Sequence, residues 1–554
     1  MVKFKELLSK AKSYATKGYA TLVGWIKRGW SIIRRPVDIT NLALILSVFT
    51  LVVYNIPLIK MIANSVDADF NGFIITTTVF ILLILLNYFL YYLLLYCFRV
   101  VGRYLIATTF ICNAICLYFI NSYNTLITME MMGNVFNTRP SEAGSYLSFT
   151  FVLYVIFLGI IPAICVAATR VNYRSIWRFL TTIVITVAIL LSSLLINKSN
   201  ILWIDRYAPQ IGGLAMPFSY TANSIRYLHK WIMMNRKAIP LPDAKIENDS
   251  RDVVVIVIGE SARSDHFSLY GYDRCTNPYL EQEEDVVVLN ATSADTYTTA
   301  GVKAILDHRP VEKLYEILPN YLYRTGVDVV WRTSNWGEPP LKFDRFYDMD
   351  ALRERYNSKS KYDELLVQGL AEEIMAGDKQ KTLIVLHTST SHGPTYYKKY
   401  PYEFEEFYPV CTTVEMSKAN KAHLINAYDN TILYTDYLLY TIIEELRKLP
   451  EGTRSCMFYV SDHGESLGEN NMYMHGLPKD MAPEQCMIPF IVWDSDPHTH
   501  VKSISHATQY HVFHSVLSFM GISSPVYNEE MNIFHYDEVP SQDEAEEVVD
   551  ESLE

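Results

Sequence analysis

The chain is 554 residues long, half of them hydrophobic and 13% aromatic, with a formal net charge of -12. That charge excludes nucleic acid as a natural partner, because a phosphate backbone needs Lys and Arg clustered on the binding face. Length alone suggests three or four soluble domains, but the apolar residues crowd into the first 200 positions, and eight cysteines without a CxxC pair define no disulfide framework.

Residues 1–38 carry Lys3, Lys5, Lys10, Lys12, Lys17, Lys27, Arg28, Arg34 and Arg35 among aromatics and Leu. This reads as a basic interfacial segment, too long and too charged ahead of its apolar run for a cleaved signal peptide. Five apolar stretches follow, at 39–62, 70–98, 104–123, 145–169 and 175–197, each near the roughly 20 residues that span a bilayer. Residues 39–197 are therefore expected to form a transmembrane domain with five helices. Cys97, Cys112, Cys116 and Cys165 fall in these stretches as small hydrophobes; Cys275, Cys411, Cys456 and Cys486 lie beyond.

Loop charge predicts the orientation. Arg99 and Arg103 lie between the second and third stretches, and Arg170, Arg174 and Arg178 between the fourth and fifth, whereas 64–69 has no basic residue and 124–144 only Arg139. By the positive-inside rule the amino terminus is cytoplasmic. An odd number of spans then puts everything after about residue 198 outside, in the periplasm of a cell with two membranes. In the loop at 124–144, Asn134, Thr138 and Glu142 recur every four residues, which places them on one face of a short helix; Pro140 works against a regular one.

Residues 198–252 mix Trp203, Tyr207, Tyr220, Tyr227 and Trp231 with charge and read as a membrane-surface linker. From 253 to 540 apolar runs alternate with helix-like segments. Strands are expected at 253–258, 327–331, 383–386, 456–460 and 488–493, and helices at 361–376 and 419–447. That alternation predicts a largely parallel sheet covered by helices. The stretch 541–554 is acidic and reads as a disordered tail.

Two expected strands end on chemistry-bearing residues, one at Gly259-Glu260 and one at Ser461-Asp462-His463-Gly464-Glu465. Open α/β sheets place ligands at the carboxyl ends of strands, and oxygen and imidazole donors gathered there suit a zinc-type ion. The hydroxyl-rich run Thr292 to Gly301 precedes a helix-like segment. A divalent cation lowers the pKa of a bound hydroxyl, so Thr296, Thr298 and Thr299 are all candidate nucleophiles. His387 and His392 follow another strand, and His475 follows the Asp-His-Gly stretch; near one pocket they serve a second metal, a substrate phosphate or a leaving group.

These residues resemble the membrane-bound phosphoethanolamine transferases of the alkaline phosphatase and sulfatase superfamily. The resemblance runs over nearly the whole chain and rests on Gly259 to His266, Leu269-Tyr270-Gly271-Tyr272, His387 to Pro394, Ala427 to Thr431 and Ser461 to Glu469. It implies a membrane bundle followed by an α/β sulfatase-like domain, with Glu260, Thr298, Asp462 and His463 as ligands of a catalytic zinc and Thr298 as the phosphorylated residue. His392 and His475 match positions that meet the substrate phosphate or a second zinc. Asn335 matches a substrate-pocket asparagine, and Asn134, Thr138 and Glu142 a polar face that meets the lipid headgroup. Ala294 and Lys303 stand where lipid A-modifying members carry cysteines, so the chain is more similar to the branch that modifies the lipopolysaccharide core or other acceptors. The implied reaction moves phosphoethanolamine from phosphatidylethanolamine to a lipopolysaccharide acceptor at the outer face of the inner membrane. The alternatives are a glycerol-phosphate or other headgroup transferase of the same superfamily, and an inactive membrane scaffold. A sulfatase is disfavoured because 292–303 holds no Cys-x-Pro-x-Arg.

Overall fold

The computed structural model describes residues 31, 34–138, 143–196, 201–234, 238–311 and 313–537. Most of the basic segment at 1–38, Glu142 and the tail at 541–554 lie outside the described residues. The rest falls into two compact units, one within Met1–Asn121, Leu126–Thr128 and Leu147–Asn223, the other within Ser122–Thr125, Met129–Tyr146 and Ser224–Glu554.

The first unit is helical. Asp38 caps the helix Ile39–Phe49 by accepting from the Thr40 amide at 3.0 Å, supplying a partner the first turn lacks. The helical path breaks at Asn55 ahead of Pro57, and the two pieces Ile39–Tyr54 and Ile56–Ser65 bend by 65°. The stretches expected at 70–98 and 104–123 run as one helix, Phe70–Tyr123, interrupted only at Arg99 with φ 46 and ψ -108. At that point the chain doubles back. A Cβ on Gly102 would lie 2.0 Å from the Leu94 carbonyl oxygen, and the Tyr91 and Phe110 rings are 6.3 Å apart, where a straight helix would separate them by about 28 Å. Phe149–Ala168 and Ile176–Leu195 follow, and after them the short helices Ile201–Arg206 and Ala208–Leu214 of the same unit. Among the described residues, three helices are by length and composition fit to cross a membrane, or four with the bent pair counted as one. That criterion leaves the expected five untested, because it takes the second and third stretches as one element although the chain folds back between them at Arg99.

The second unit is built on an eight-stranded sheet. Its strands are β1 Arg251–Gly259, β2 Val286–Thr292, β3 Asp328–Thr333, β4 Phe346–Asp348, β5 Lys381–His387, β6 Thr453–Ser461, β7 Met487–Asp494 and β8 Ala507–Thr508. The spatial order is β8-β2-β7-β6-β1-β5-β3-β4. All neighbours are parallel except β7, which runs antiparallel to both β2 and β6; the expectation of a largely parallel sheet holds with that exception. β1 is apolar at every position from Val253 to Ile258 because both faces are covered: Val254, Ile256 and Ile258 enter one core with Phe458, Val460 and Phe490, and Val253, Val255 and Val257 are equally buried on the other face. The helix expected at 361–376 is broken into Glu364–Val367 and Leu370–Met375, with Gly369 between them at φ 64. The helix expected at 419–447 spans Lys421–Leu446, capped by Asn420.

Candidate active site

Parallel pairing of β1 with β6 puts Gly259 opposite Ser461, so Glu260 and the Asp462-His463 pair emerge side by side at the carboxyl ends of the strands. Ser261 turns the chain there at φ 54. Its amide donates to Asp462 Oδ1 at 3.0 Å, and the His463 amide donates to the same oxygen at 2.7 Å. With Oδ1 saturated, the fully buried Oδ2 has no hydrogen-bond partner among the described residues. The His463 Nδ1 proton goes to the Gly464 carbonyl at 2.8 Å, which leaves the Nε2 lone pair free to bind a metal. Glu260 takes the Ser261 hydroxyl on Oε1 and the Asn335 amide on Oε2, both at 2.7 Å.

The helix Thr298–Leu306 starts at this point. Thr298 Oγ1 lies 3.3 Å from His463 Nε2 and 3.4 Å from Glu260 Oε2, while His463 Nε2 lies 3.3 Å from Asp462 Oδ2 and 3.5 Å from Glu260 Oε1. A tetrahedral ion with bonds of about 2.0–2.2 Å has ligand-to-ligand edges of about 3.3–3.6 Å. Two carboxylates, an imidazole and a hydroxyl thus stand at tetrahedral edge lengths with an orphaned buried oxygen among them, and this donor set fits a zinc-type ion.

Electrostatics favour a cation at this point. Burial pushes the Glu260 carboxyl up, but His392, His463, His475 and the Ser261 hydroxyl outweigh it and hold Glu260 well below the usual range. Burial and the neighbouring Glu260 drive Asp462 well above its ordinary value. Burial, then His475, takes His463 down to about 3. Two dry carboxylates facing each other oppose joint ionisation until a cation joins them.

A second grouping adjoins the first. Donor atoms of Glu260, His463 and His475 lie within 4.8 Å of one another, and the His475 ring is 4.3 Å from that of His463 and 5.7 Å from that of His392. Glu465, buried, sits 3.4 Å from His475 Nδ1 and fixes that ring. This set shares Glu260 and His463 with the first and adds His475.

Among the rival threonines, Thr296 donates its hydroxyl to the Leu477 carbonyl at 2.8 Å and Thr299 faces a side cavity; only Thr298 stands among the donors. Asn335 holds Glu260 and bonds the Thr388 carbonyl at 2.8 Å. His387 ends β5, wholly buried, with neither ring nitrogen hydrogen-bonded among the described residues. Asn134 lies in the helix Met129–Asn137, and Thr138 returns its hydroxyl to the Asn134 carbonyl at 2.7 Å. A Cβ on Gly476, beside His475, would stand 3.7 Å from Asn134 Nδ2. The quoted motif at Ala427 to Thr431 is scaffold: Tyr428 donates to the Ser261 carbonyl at 2.7 Å, and Asp429 pairs with His266 at 2.6 Å.

Four participants were missed from the sequence. Glu465 was quoted in its motif without a role, and Gln509, which donates to the Ser461 and Asp462 carbonyls at 2.9 and 2.7 Å, carries no local signal. Gly301 packs so closely that a Cβ would lie 2.1 Å from the Asp462 carbonyl oxygen. Glu338 hides in Trp336-Gly337-Glu338-Pro339-Pro340. All eight cysteines are free.

A family model described as phosphoethanolamine transferase EptA/EptB matches residues 83–232, and one described as sulfatase matches 252–522. The chain is 37% identical over 439 residues to phosphoethanolamine transferase EptA of Helicobacter pylori, covering 76% of this chain and 83% of that protein. It is 30% identical over 449 residues to EptA of Escherichia coli K12, covering 74% and 81%. The solved integral membrane lipooligosaccharide phosphoethanolamine transferase A from Neisseria meningitidis superposes with a TM-score of 0.80 at 26% identity, covering 90% of this chain and 99% of that one. The chain belongs to the EptA/EptB phosphoethanolamine transferase family, as a membrane protein with a sulfatase-type domain.

Proposed function

We propose that this protein transfers phosphoethanolamine from phosphatidylethanolamine to a lipopolysaccharide acceptor, lipid A or a core sugar or phosphate, through an intermediate on Thr298 at a zinc site. One observation carries the reading: the Thr298 hydroxyl stands 3.3–3.4 Å from His463 and Glu260, inside a buried set whose Asp462 Oδ2 lacks a partner. A zinc ion held by Glu260, Thr298, Asp462 and His463 would supply Lewis acidity, lowering the hydroxyl pKa and offsetting phosphoryl charge.

In the first half-reaction Thr298 Oγ1 loses its proton to solvent and attacks the phosphorus. The new P–O bond forms as the bond to glycerol breaks, and diacylglycerol leaves carrying a proton from His392 or His475. Backbone amides at the start of the Thr298–Leu306 helix favour the anionic phosphoryl group. In the second half-reaction an acceptor hydroxyl or phosphate oxygen attacks, the histidine takes up the acceptor proton where there is one, and Thr298 is released and recovers a proton from solvent. Asn335 and Glu465 act by positioning Glu260 and His475. Asn134, Thr138 and Glu142 are proposed to meet the lipid headgroup, and His387 to line the substrate pocket.

The reading includes five membrane crossings, with Phe70–Tyr123 crossing twice around Arg99. It places the amino terminus in the cytoplasm and the sulfatase-type unit in the periplasm of the inner membrane, where donor and acceptor both present their headgroups. The relatives named EptA are more similar to the chain, at 37% and 30% identity, than those named Kdo(2)-lipid A phosphoethanolamine 7''-transferase, at 26% and 25%, which overturns the leaning toward the core-modifying branch expected from Ala294 and Lys303.

Mass spectrometry of lipopolysaccharide from cells with and without the protein tests this. The expected result is one added phosphoethanolamine that disappears with Thr298→Ala; an unchanged lipopolysaccharide with a glycerol phosphate added elsewhere would replace this reading by the glycerol-phosphate one.

A further inference from the structure

Beside the start of the Thr298–Leu306 helix lies a cavity of about 190 Å³, lined among others by Tyr227, Lys230, Trp231, Tyr297, Thr299 and Glu338. Pockets for drug-sized ligands are roughly 300–1,000 Å³, so this one matches a headgroup rather than a lipid. It adjoins the methyl side of Thr298: a Cβ on Gly337, which turns at φ +94, would lie 3.5 Å from Thr298 Cγ2 and 3.3 Å from Thr299 Cγ2. The next residue is Glu338.

The Glu338 side chain is only 15% exposed. Its Oε1 accepts the Thr333 hydroxyl at 2.8 Å, which fixes the carboxylate, and the wholly buried His387 stands 3.8 Å away without a hydrogen bond of its own among the described residues. No Lys or Arg pairs with Glu338 among the described residues. The two ammonium groups already in the cavity are engaged elsewhere: Lys303 pairs with Asp307 at 2.6 Å, and Lys230 donates to the Tyr297 hydroxyl. Burial pushes the Glu338 carboxyl up, but His387 and the Thr333 hydroxyl outweigh it and hold it below its ordinary value; an ionised, nearly buried carboxylate whose basic neighbour is a single imidazole at 3.8 Å favours a cationic ligand. The rings of Tyr227, Trp231 and Tyr297 add faces that attract an ammonium group.

We infer that Glu338, with the aromatic walls of this cavity, binds the ammonium end of the donor headgroup and so selects an aminoalkyl phosphodiester over a neutral one. The inference rests on the transferase reading above and deepens it. Phosphorus at Thr298 leaves the amine a two-carbon reach, in the direction that Gly337 and Glu338 occupy. A glycerol headgroup offers the same phosphodiester with no charge for Glu338 to meet.

The test uses the full-length protein in detergent micelles with phosphatidylethanolamine or phosphatidylglycerol of matched chains, and diacylglycerol release is read as kcat/KM. The parent is expected to favour the ethanolamine lipid. In Glu338→Gln that preference falls about 10-fold or more, mainly through KM, with zinc content and phosphatidylglycerol turnover unchanged, and Glu338→Asp recovers part of it. A preference that survives in Glu338→Gln, or an equal loss on both donors, overturns the inference. Should Glu338→Gln fail to fold, Trp231→Ala, on a ring 49% exposed, carries the test: a KM raised for phosphatidylethanolamine alone supports the inference, and equal changes overturn it. A parent that releases diacylglycerol without headgroup preference sinks this inference alone; one that releases none from either lipid sinks the transferase reading and this with it.

Discussion

Replacing Gly301 by Ala probes how Thr298, the proposed nucleophile, is held. The added methyl would start 2.1 Å from the Asp462 carbonyl oxygen and 2.8 Å from its Cα, and ordinary contact begins near 3.4 Å. The obstacle is backbone, pinned by Gln509 through two hydrogen bonds, so the helix must retreat by about 1.3 Å, the shortfall from ordinary contact. Thr298 sits one turn earlier on that helix and retreats with it, out of the 3.3–3.4 Å spacing from His463 and Glu260. A misplacement of about 1 Å lowers rates by roughly 100-fold, and overpacking of this kind destabilises by about 1–3 kcal/mol. Initial rates of diacylglycerol release from a fluorescent phosphatidylethanolamine, with zinc content and thermal unfolding on the same samples, measure all three quantities. Gly301→Ala should remain folded and keep zinc on Glu260, Asp462 and His463 while losing nearly all transfer. Gly212→Ala, where a Cβ meets nothing within 4 Å, is the matched control. Retention of more than about half the activity, or loss of zinc with the activity, would refute the claim that this contact sets the position of Thr298.

Thr298→Ala should abolish transfer and leave the ion bound, whereas chelation should abolish transfer in the parent and added zinc restore it; both are read by diacylglycerol release with metal analysis. Asn335→Ala removes the amide from Glu260 Oε2 and should lower zinc affinity or activity by about 10–100-fold, measured by competition with a chromophoric chelator. Glu373 is buried with Arg332 at 3.1 Å, and although burial pushes its carboxyl up, Arg345, Arg332 and Arg355 bring it below the usual range. Its stabilising effect is therefore full above the ordinary carboxylate pKa and is lost as the pH falls through the lower folded value. Glu373→Gln should unfold about 3–5 kcal/mol more easily at neutral pH, with the gap to the parent closing in acid, as followed by denaturant titration.

The strand ends and their chemistry were legible in the sequence because short apolar runs stop abruptly at Glu260 and Asp462, and a parallel sheet must bring such ends together. The residues that tune the site were not. Glu465, Gln509 and Glu338 lie in loops and turns whose approach depends on tertiary packing, and no local period marks them. The antiparallel course of β7 escaped notice because a fully buried strand has the same apolar pattern in either direction. In the membrane segment hydropathy located the apolar stretches, but the reversal at Arg99 happens without a loop, so the lengths of the stretches and the lengths of the helices give different counts. Gly301 is an ordinary helix residue in the sequence; only its approach to the Asp462 backbone makes it specific.

The central claim is that Thr298 carries the phosphoethanolamine group between donor and acceptor. Incubating the purified protein with phosphatidylethanolamine in the absence of acceptor, then mapping the modified peptide by mass spectrometry, tests it most directly. The account predicts phosphoethanolamine on Thr298 with one diacylglycerol released per modified chain. Finding the group on Thr296 or Thr299, or finding diacylglycerol released with no modified residue, would contradict it.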